Sequence, residues 1–402
     1  MIFQNTIAAI DHASRPAEAT APQRNTGRRF VLGAALGGAA LIAGARFGML
    51  PAKPVPATAA PALPTEADLG SNSVSATLAT HVELVDWKAF RARFIRPDGR
   101  VIDTFNQGES HTESQGLGML FAASFDDRPS FDRIWTWTKA TLSRPSDALS
   151  AWRYLPGSSN PVPDMNNATD GDIYIAGALL RASARWKSPE YLDAAQKIAG
   201  DILRLLVREV GGKTVLLPAA DGFVKSDYTV VNLSYYVQPL LAELQEAYPS
   251  PLWEALFRDG DQLRQYARFG KWQLPPDWLR VSAANGALSI DSGHPPRFSF
   301  DAVRVPLFVA WSRGDPQALQ SFVNFWGATP SRAPAWIDLD TGSCAPYPIS
   351  KGVMAIARLS GCGHQVERQA DLPAISGDEP YYSAALILLS RIALREIKPK
   401  LV

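Results

Sequence analysis

The chain contains few of the residue types that build metal, redox and nucleophilic sites. Its 402 residues include two cysteines and five histidines, with no Cys-x-x-Cys pair and no Gly-x-Ser-x-Gly motif. Zinc sites need closely spaced cysteines and histidines, and α/β-type serine hydrolases need the Gly-x-Ser-x-Gly turn, so both classes are disfavoured. Cys344 and Cys362 could pair in an oxidising compartment or remain free thiols, and their spacing leaves both alternatives open.

An excess of charge of either sign is also absent. The chain has 40 basic and 39 acidic side chains, which gives a net charge of +1. This balance predicts no basic surface for nucleic acid and no acidic, disordered tail. Aromatic residues, in contrast, are plentiful, with 11 tryptophans. Their rings can stack on flat ligands such as sugars, although packing in a core is their commoner use.

No apolar stretch reaches the length of a membrane span. The longest uncharged run, Phe30 to Ala45, has 16 residues, whereas a spanning helix needs about 20. It directly follows Arg28-Arg29, a pattern typical of a twin-arginine-like export signal. We therefore predict an export-signal region at 1–50, a Pro/Ala-rich linker at 51–75 and a folded domain at 76–402, periplasmic or secreted. No stable membrane span is expected after signal processing.

The folded domain shows mainly helical patterns. Ser188-Pro189, Ser250-Pro251 and Asp315-Pro316 each place a capping residue before a proline at the first helical position. Strand signals are few, and Lys213 to Leu217 is the clearest, as part of a hairpin. Because no sequence repeat is detectable, a closed arrangement of paired helices is the simplest all-α architecture. The helical patterns cover about 113–125, 129–143, 173–186, 192–207, 233–247, 252–267, 301–313, 319–326 and 380–396.

Three carboxylates stand at loop-to-helix junctions. Glu113 begins an apolar helical segment, and Asp170 lies at the start of the apolar run Ile173 to Trp186. Apolar surroundings favour the protonated form of a carboxyl group, which a general acid requires. Arg304, three residues after Asp301, would share a helix face with it and keep it ionised, as a general base must be. Helix capping and a local ion pair are the structural alternatives.

These carboxylates lie in segments that resemble a known enzyme family. Segments 112–121, 166–186 and 298–306 together resemble glycoside hydrolase family 8, in particular the endoglucanases that accompany bacterial cellulose synthases. The resemblance implies an (α/α)6 barrel with an open substrate groove and an inverting mechanism. It further implies that Glu113 is the general acid, Asp301 the general base and Asp170 the residue that positions the sugar at the cleavage subsite.

The expected function is that of an endo-β-1,4-glucanase, a cellulase that trims β-1,4-glucan during cellulose biosynthesis. The resemblance implies no metal and no organic cofactor, and the cellulose synthase complex is an expected partner. We expect Trp152, Arg304, Tyr235 and Tyr236 to bind the substrate. Leu117 replaces an aromatic residue of the family, which leaves the substrate preference open. The alternatives are the same fold acting on chitosan, xylan or mixed-linkage β-glucan, or a non-catalytic glucan-binding accessory protein.

Overall fold

The computed structural model describes residues 79–328, 332–363 and 366–399. The predicted export-signal region at 1–50 and the linker at 51–75 lie outside the described residues. Among the residues described, no helix is both long and apolar enough to cross a membrane.

Helices dominate the described part of the chain. Its α-helices are α1 (His81–Phe94), α2 (Thr112–Ser124), α3 (Arg128–Leu142), α4 (Thr169–Trp186), α5 (Pro189–Asp201), α6 (Gln238–Ala247), α7 (Pro251–Tyr266), α8 (Val305–Trp311), α9 (Gln320–Gly327), α10 (Lys351–Leu359) and α11 (Tyr381–Ile397). As the Ser-Pro pairs predict, Pro189 and Pro251 are the first residues of α5 and α7. Asp315-Pro316 instead begins a short 3-10 turn before α9.

Six of the helices form a closed ring. Helix α2 packs against α4, α4 against α6, α6 against α8, α8 against α10, and α10 against α11, which returns to α2. The others pack on the outside of this ring, α3 on α2, α5 on α4, α7 on α6, α9 on α10 and α1 on α11. The predicted all-α (α/α)6 barrel is confirmed.

Two glycines bring the beginnings of α2 and α4 together. A Cβ atom on Gly116 would lie 2.6 Å from the Cβ of Tyr174, and one on Gly171 would overlap the side chain of Thr112. Only glycine allows the two backbones to approach this closely. The first turns of both helices, which carry the two predicted site carboxylates, are therefore neighbours.

The strands are short and lie between the helices. They are β1 (Ser110–His111), β2 (Arg153–Tyr154), β3 (Val207–Val210), β4 (Lys213–Leu216), β5 (Tyr228–Val231), β6 (Leu279–Ser282), β7 (Leu288–Ile290), β8 (Arg297–Phe298) and β9 (Ile337–Asp338). All pairings are antiparallel: β1 with β2, β3 with β4, β5 with β6, β6 with β7, and β8 with β9. The β3–β4 hairpin confirms the predicted strand.

Three helical predictions extend too far. The helix predicted at 233–247 begins only at Gln238, because residues 233–235 form a 3-10 turn. The helix predicted to run to residue 207 ends at Asp201 and continues as a π-turn, because Val207–Val210 pairs with β4. The pattern at 301–313 contains a 3-10 turn, Ala302–Arg304, before α8. Pro306 lies in the first turn of α8, where its missing N–H costs no hydrogen bond. Of the two cysteines, Cys344 is exposed and Cys362 half-buried, and both are free thiols.

Candidate active site

An open cleft lies where α2, α4 and the turn before α8 begin. The space between its lining residues is about 830 Å³, part of it open to solvent. The lining residues are Asp103, Asn106, Glu109, His111, Thr112, Glu113, Trp152, Ala168, Asp170, Tyr235, Phe300, Asp301, Arg304, Tyr381 and Tyr382. The three predicted carboxylates thus share one cleft, although 188 residues separate the first from the last.

One guanidinium group contacts all three carboxylates. Arg304 Nη1 donates to Glu113 Oε2 at 3.0 Å and to Asp170 Oδ2 at 3.1 Å. Its Nη2 donates to Asp301 Oδ1 at 2.7 Å and to Ser234 Oγ at 2.9 Å. The predicted Asp301–Arg304 ion pair is therefore part of a larger cluster. Within the described segments, no group of three or more histidine, cysteine or acidic side chains is arranged to bind a metal.

A single cation cannot neutralise three carboxylates, and the proton affinities of Asp170 and Asp301 reflect this. Burial raises the pKa of Asp170 to about 7, with Glu113 and Asp301 adding to the increase and Arg304 opposing it. Burial also raises the pKa of Asp301, against the pull of Arg304. Burial and the charge of Glu113 outweigh the arginine in the direction of this shift, and the expectation that Arg304 keeps Asp301 ionised stays a prediction.

The loop before α2 fixes the position of Glu113 and adds polar groups to the cleft. His111 caps the helix, because its Nδ1 accepts the N–H of Ser114 at 3.1 Å. The imidazole Nε2 lies 3.9 Å from Asp103 Oδ2. Asn106 donates to that same carboxylate at 2.7 Å. Sequence reasoning missed this polar wall, although an unusual histidine immediately before a helix start was visible in the chain.

Two of the three aromatic residues that were predicted to bind the substrate line the cleft, and the third does not. Trp152 lines the cleft, with its Nε1 donating to Asp164 at 3.0 Å. Tyr235 also lines it, 5.7 Å from Arg304 Cζ. Tyr236 does not, and its prediction as a groove residue is wrong: it is 1% exposed, and its Oη accepts the N–H of Leu216. The 3-10 turn Leu233–Tyr235 ends between the two tyrosines, so their rings point to different sides.

Three further cleft residues escaped the sequence analysis. Tyr381 and Tyr382 begin α11 and line the cleft together with Thr112. Tyr381 Oη and Thr112 Oγ1 are buried and have no hydrogen-bond partner among the described residues. The helical pattern at 380–396 was recognised, but periodicity alone does not show which helix end faces the cleft. Leu117 is buried in the core and does not line the cleft.

Two other buried aspartates hold the backbone around the cleft. Asp172 accepts the N–H of Ser150 and the side-chain amide of Asn167, both at 2.9 Å, and burial raises its pKa to about 8. Asp277 accepts backbone N–H groups beside Asp301, as described below. Neither aspartate is among the residues lining the cleft. The second Asp of the Asp-Gly-Asp run therefore supports the loop.

Residues 62–395 match the sequence profile of Glycosyl hydrolases family 8. The chain belongs to this family. A "probable endoglucanase" of Novacetimonas hansenii is 46% identical over 330 residues, which cover 82% of this chain and 95% of that relative. An endoglucanase of Cellulomonas uda is 38% identical over 284 residues, or 70% of this chain and 79% of the relative.

Solved structures of the family give the same result. The structure of an endo-beta-1,4-glucanase from Acetobacter xylinum superimposes with a TM-score of 0.75 at 46% sequence identity. The match covers 79% of this chain and 98% of that one. The barrel of this chain is therefore shared with that solved structure.

Proposed function

We propose that this family 8 hydrolase is an inverting endo-β-1,4-glucanase, with Glu113 as general acid, Asp301 as general base and Asp170 as the sugar-positioning residue. The observation that carries the proposal is the cluster of three carboxylates on one buried guanidinium at an open cleft. The similarity to endoglucanases over most of the chain supports the reaction and the substrate.

Glu113 is suited to donate a proton. Its Oε2 accepts a hydrogen bond from Arg304, which leaves Oε1 to carry the proton. Glycoside hydrolysis breaks the bond between the anomeric carbon and the glycosidic oxygen, and that oxygen needs a proton as it leaves. Glu113, whose side chain is 18% exposed at the cleft, supplies it to the departing glucan chain.

Asp301 is suited to activate water on the opposite side. Its Oδ1 accepts from Arg304 Nη2, which leaves Oδ2 to take a proton from the attacking water. Glu113 and Asp301 contact the two Nη atoms of one planar guanidinium at 3.0 and 2.7 Å, which brings both carboxyl groups to the same cleft. An inverting pair is about 6.5–9.5 Å apart, which leaves room for a water molecule.

Asp170 lies between these two groups. Its Oδ2 shares Nη1 of Arg304 with Glu113, and its Oδ1 accepts the N–H of Gly171 at 2.9 Å. With a pKa of about 7, this carboxyl group can accept a hydrogen bond from a sugar hydroxyl when ionised or donate one to it when protonated. We infer that it holds a ring hydroxyl at the cleavage subsite and favours the distorted ring.

The proposal predicts that removing either proton-transfer group abolishes hydrolysis. Glu113→Gln and Asp301→Asn should each lower kcat on carboxymethyl-cellulose by about 10²–10⁴-fold. Release of reducing ends measures kcat, and an early fall in viscosity reports internal cleavage. The exposed Glu209 on β3 offers a matched control, and Glu209→Gln should retain full activity.

The same variants separate an enzyme from a non-catalytic glucan-binding protein. Glucan binding by Glu113→Gln should persist while hydrolysis is lost. Retention of wild-type hydrolysis by this variant would refute the assignment of the acid. Reducing-end release from chitosan, xylan and mixed-linkage β-glucan, measured in parallel, tests the preference for β-1,4-glucan.

We further propose that the protein is exported and acts on glucan made by a cellulose synthase complex. The twin-arginine-like pattern at Arg28-Arg29 and the resemblance of the three site segments to synthase-associated endoglucanases support this. Residues 1–75 fused to a folded reporter should direct it to the periplasm, and replacement of both arginines by lysine should stop export. Retention of the unmodified fusion in the cytoplasm would contradict the location, and failure to co-purify with a cellulose synthase would contradict the partner.

A further inference from the structure

A buried aspartate behind the cleft holds the turn that carries Asp301. Asp277 Oδ1 accepts the N–H of Ser299 at 3.0 Å and the N–H of Ala302 at 2.8 Å. Its Oδ2 accepts from Ser299 Oγ. One carboxylate thus accepts three hydrogen bonds from residues on both sides of residue 301 along the chain.

This carboxylate is placed to support the cleft and not to enter it. Asp277 is 4% exposed, whereas Asp301 lines the cleft. Its own backbone is anchored as well, because the N–H of Asp277 donates to the carbonyl of Arg297 at 2.8 Å. Arg297 begins β8, which runs directly into the 299–302 turn. Asp277 therefore links the start of β8 to the turn, because its N–H binds Arg297 and its carboxylate binds the turn.

The turn needs this external support. Asp301 precedes the 3-10 turn Ala302–Arg304, and its own side chain makes no capping hydrogen bond to that turn. The N–H of Ala302 would otherwise be a buried donor without a partner from its own turn, which is costly. Asp277 supplies the missing acceptor and leaves the carboxylate of Asp301 free to face Arg304 and the cleft.

We propose that Asp277 is the positioning residue of the proposed general base: its three hydrogen bonds to the 299–302 turn hold Asp301 at the place where it can activate the attacking water. This inference rests on the proposed role of Asp301. Misplacing a reacting group by about 1 Å can cost about 10²-fold in rate, so loss of the hydrogen bonds from the turn to Asp277 should lower kcat. Most residues that line the cleft lie on other elements, so KM should change less than kcat.

Two substitutions distinguish the hydrogen bonds from the charge. Asp277→Ala removes all three bonds, and kcat should fall at least about 30-fold with KM within about twofold of wild type. Asp277→Asn can keep both backbone bonds, because both go to the single oxygen Oδ1. Its kcat should lie within about fivefold of wild type. Asp259 offers a matched control, since it is also 4% exposed and accepts a backbone N–H, that of Thr214, away from the cleft.

Asp259→Ala should lower the melting temperature about as much as Asp277→Ala but leave kcat unchanged. A double-mutant cycle adds a readout that a purely structural role would not move. With Asp301 already replaced by alanine, Asp277→Ala should cause no further loss of kcat, because the group that it positions is gone.

Three results would overturn the proposal. These are an unchanged kcat in Asp277→Ala, a kcat of Asp277→Asn as low as that of Asp277→Ala, or additive losses in the double mutant. Failure of the general-base assignment is recognised separately, by full activity of Asp301→Asn whatever the Asp277 variants show.

Discussion

Two arginine-centred clusters contact helix α4, and they differ in the number of acids that share the arginine. Arg181, in the second half of α4, binds Glu243 of α6 at 2.6 Å and Glu396 of α11 at 2.7 Å. Arg304 binds a carboxylate in the first turn of α4 and two more around it. The first cluster pairs one cation with two acids, and the second pairs one cation with three.

The larger excess of carboxylates around Arg304 explains why that cluster is suited to proton transfer and the Arg181 cluster to holding helices together. Although burial disfavours its charge, Glu243 and Glu396 raise the pKa of Arg181, which stays charged and ties the helices together. Trp311 donates to Glu396 at 2.7 Å and completes that cluster. Around Arg304, one cation faces three acids, so two acids are left without a counter-charge, whereas one is left around Arg181, where burial raises the pKa of Glu243. Burial, together with the larger acid surplus, raises the pKa of Asp170 to about 7, so the cleft contains a group that exchanges its proton near neutral pH.

The largest expected effect comes from removing the cation of the proposed active site. Arg304→Met should lower kcat on carboxymethyl-cellulose by at least about 10³-fold, because all three carboxylates lose their shared hydrogen-bond donor. Circular dichroism checks that the variant folds. Arg304→Lys keeps the charge but cannot contact three carboxylates in the same fork geometry, so it should restore little activity. Full activity of the lysine variant would contradict the role of the fork.

Removing the cation of the other cluster, Arg181, should lower the stability of the protein and leave its activity nearly unchanged. Arg181→Met keeps the aliphatic stem but leaves Glu243 and Glu396 without a partner, so the free energy of unfolding should fall by about 3 kcal/mol. Urea unfolding measures this change, and kcat at 25 °C should stay within about twofold of wild type. A large loss of activity in a fully folded Arg181→Met protein would show that the two clusters are not functionally distinct.

The smallest expected effect concerns the pH dependence of stability. The pKa of Asp170 rises from 3.8 to about 7 on folding, so its stabilising contribution is complete below about pH 4 and is lost as the pH rises through 7. Asp170→Asn removes this loss, so its free energy of unfolding should fall less than that of wild type between pH 4 and pH 8. Thermal unfolding at both pH values measures the difference.

Asp259→Asn is a control, because the pKa shift of Asp259 has the opposite sign to that of Asp170. Arg258 and the N–H of Thr214 outweigh burial and lower the pKa of Asp259. Its contribution is therefore present above the unfolded pKa and is lost as the pH falls through the lowered value. A pH response of Asp170→Asn that matches this control would contradict the raised proton affinity at the Arg304 cluster.

The sequence predicts the barrel better than it predicts the inside of the cleft. Helix starts are local signals, and Pro189 and Pro251 mark them correctly. The carboxylates were found because their motif is local as well. Asp277 was missed because its partners lie 22 and 25 residues away, at a distance that no periodicity encodes. Tyr235 and Tyr236 are adjacent in sequence, and only the turn between them decides which one faces the cleft.

The raised pKa of Asp301 was also beyond sequence reasoning. A neighbouring arginine predicts a lowered pKa, but that arginine is shared with two other acids once the chain folds. Charge balance in a buried site depends on every group that reaches it, and two of these come from other helices. Spacing along the chain reveals only the ion pair between Asp301 and Arg304.

The stereochemistry of the first product tests the central proposal most directly. Proton NMR of cellopentaose hydrolysis, recorded before mutarotation, reports the anomer formed at the new reducing end. Attack by a water molecule held by Asp301, opposite the bond protonated by Glu113, predicts the α-anomer from a β-linked substrate. Initial formation of the β-anomer would contradict the assignment of these two carboxylates as an inverting acid and base.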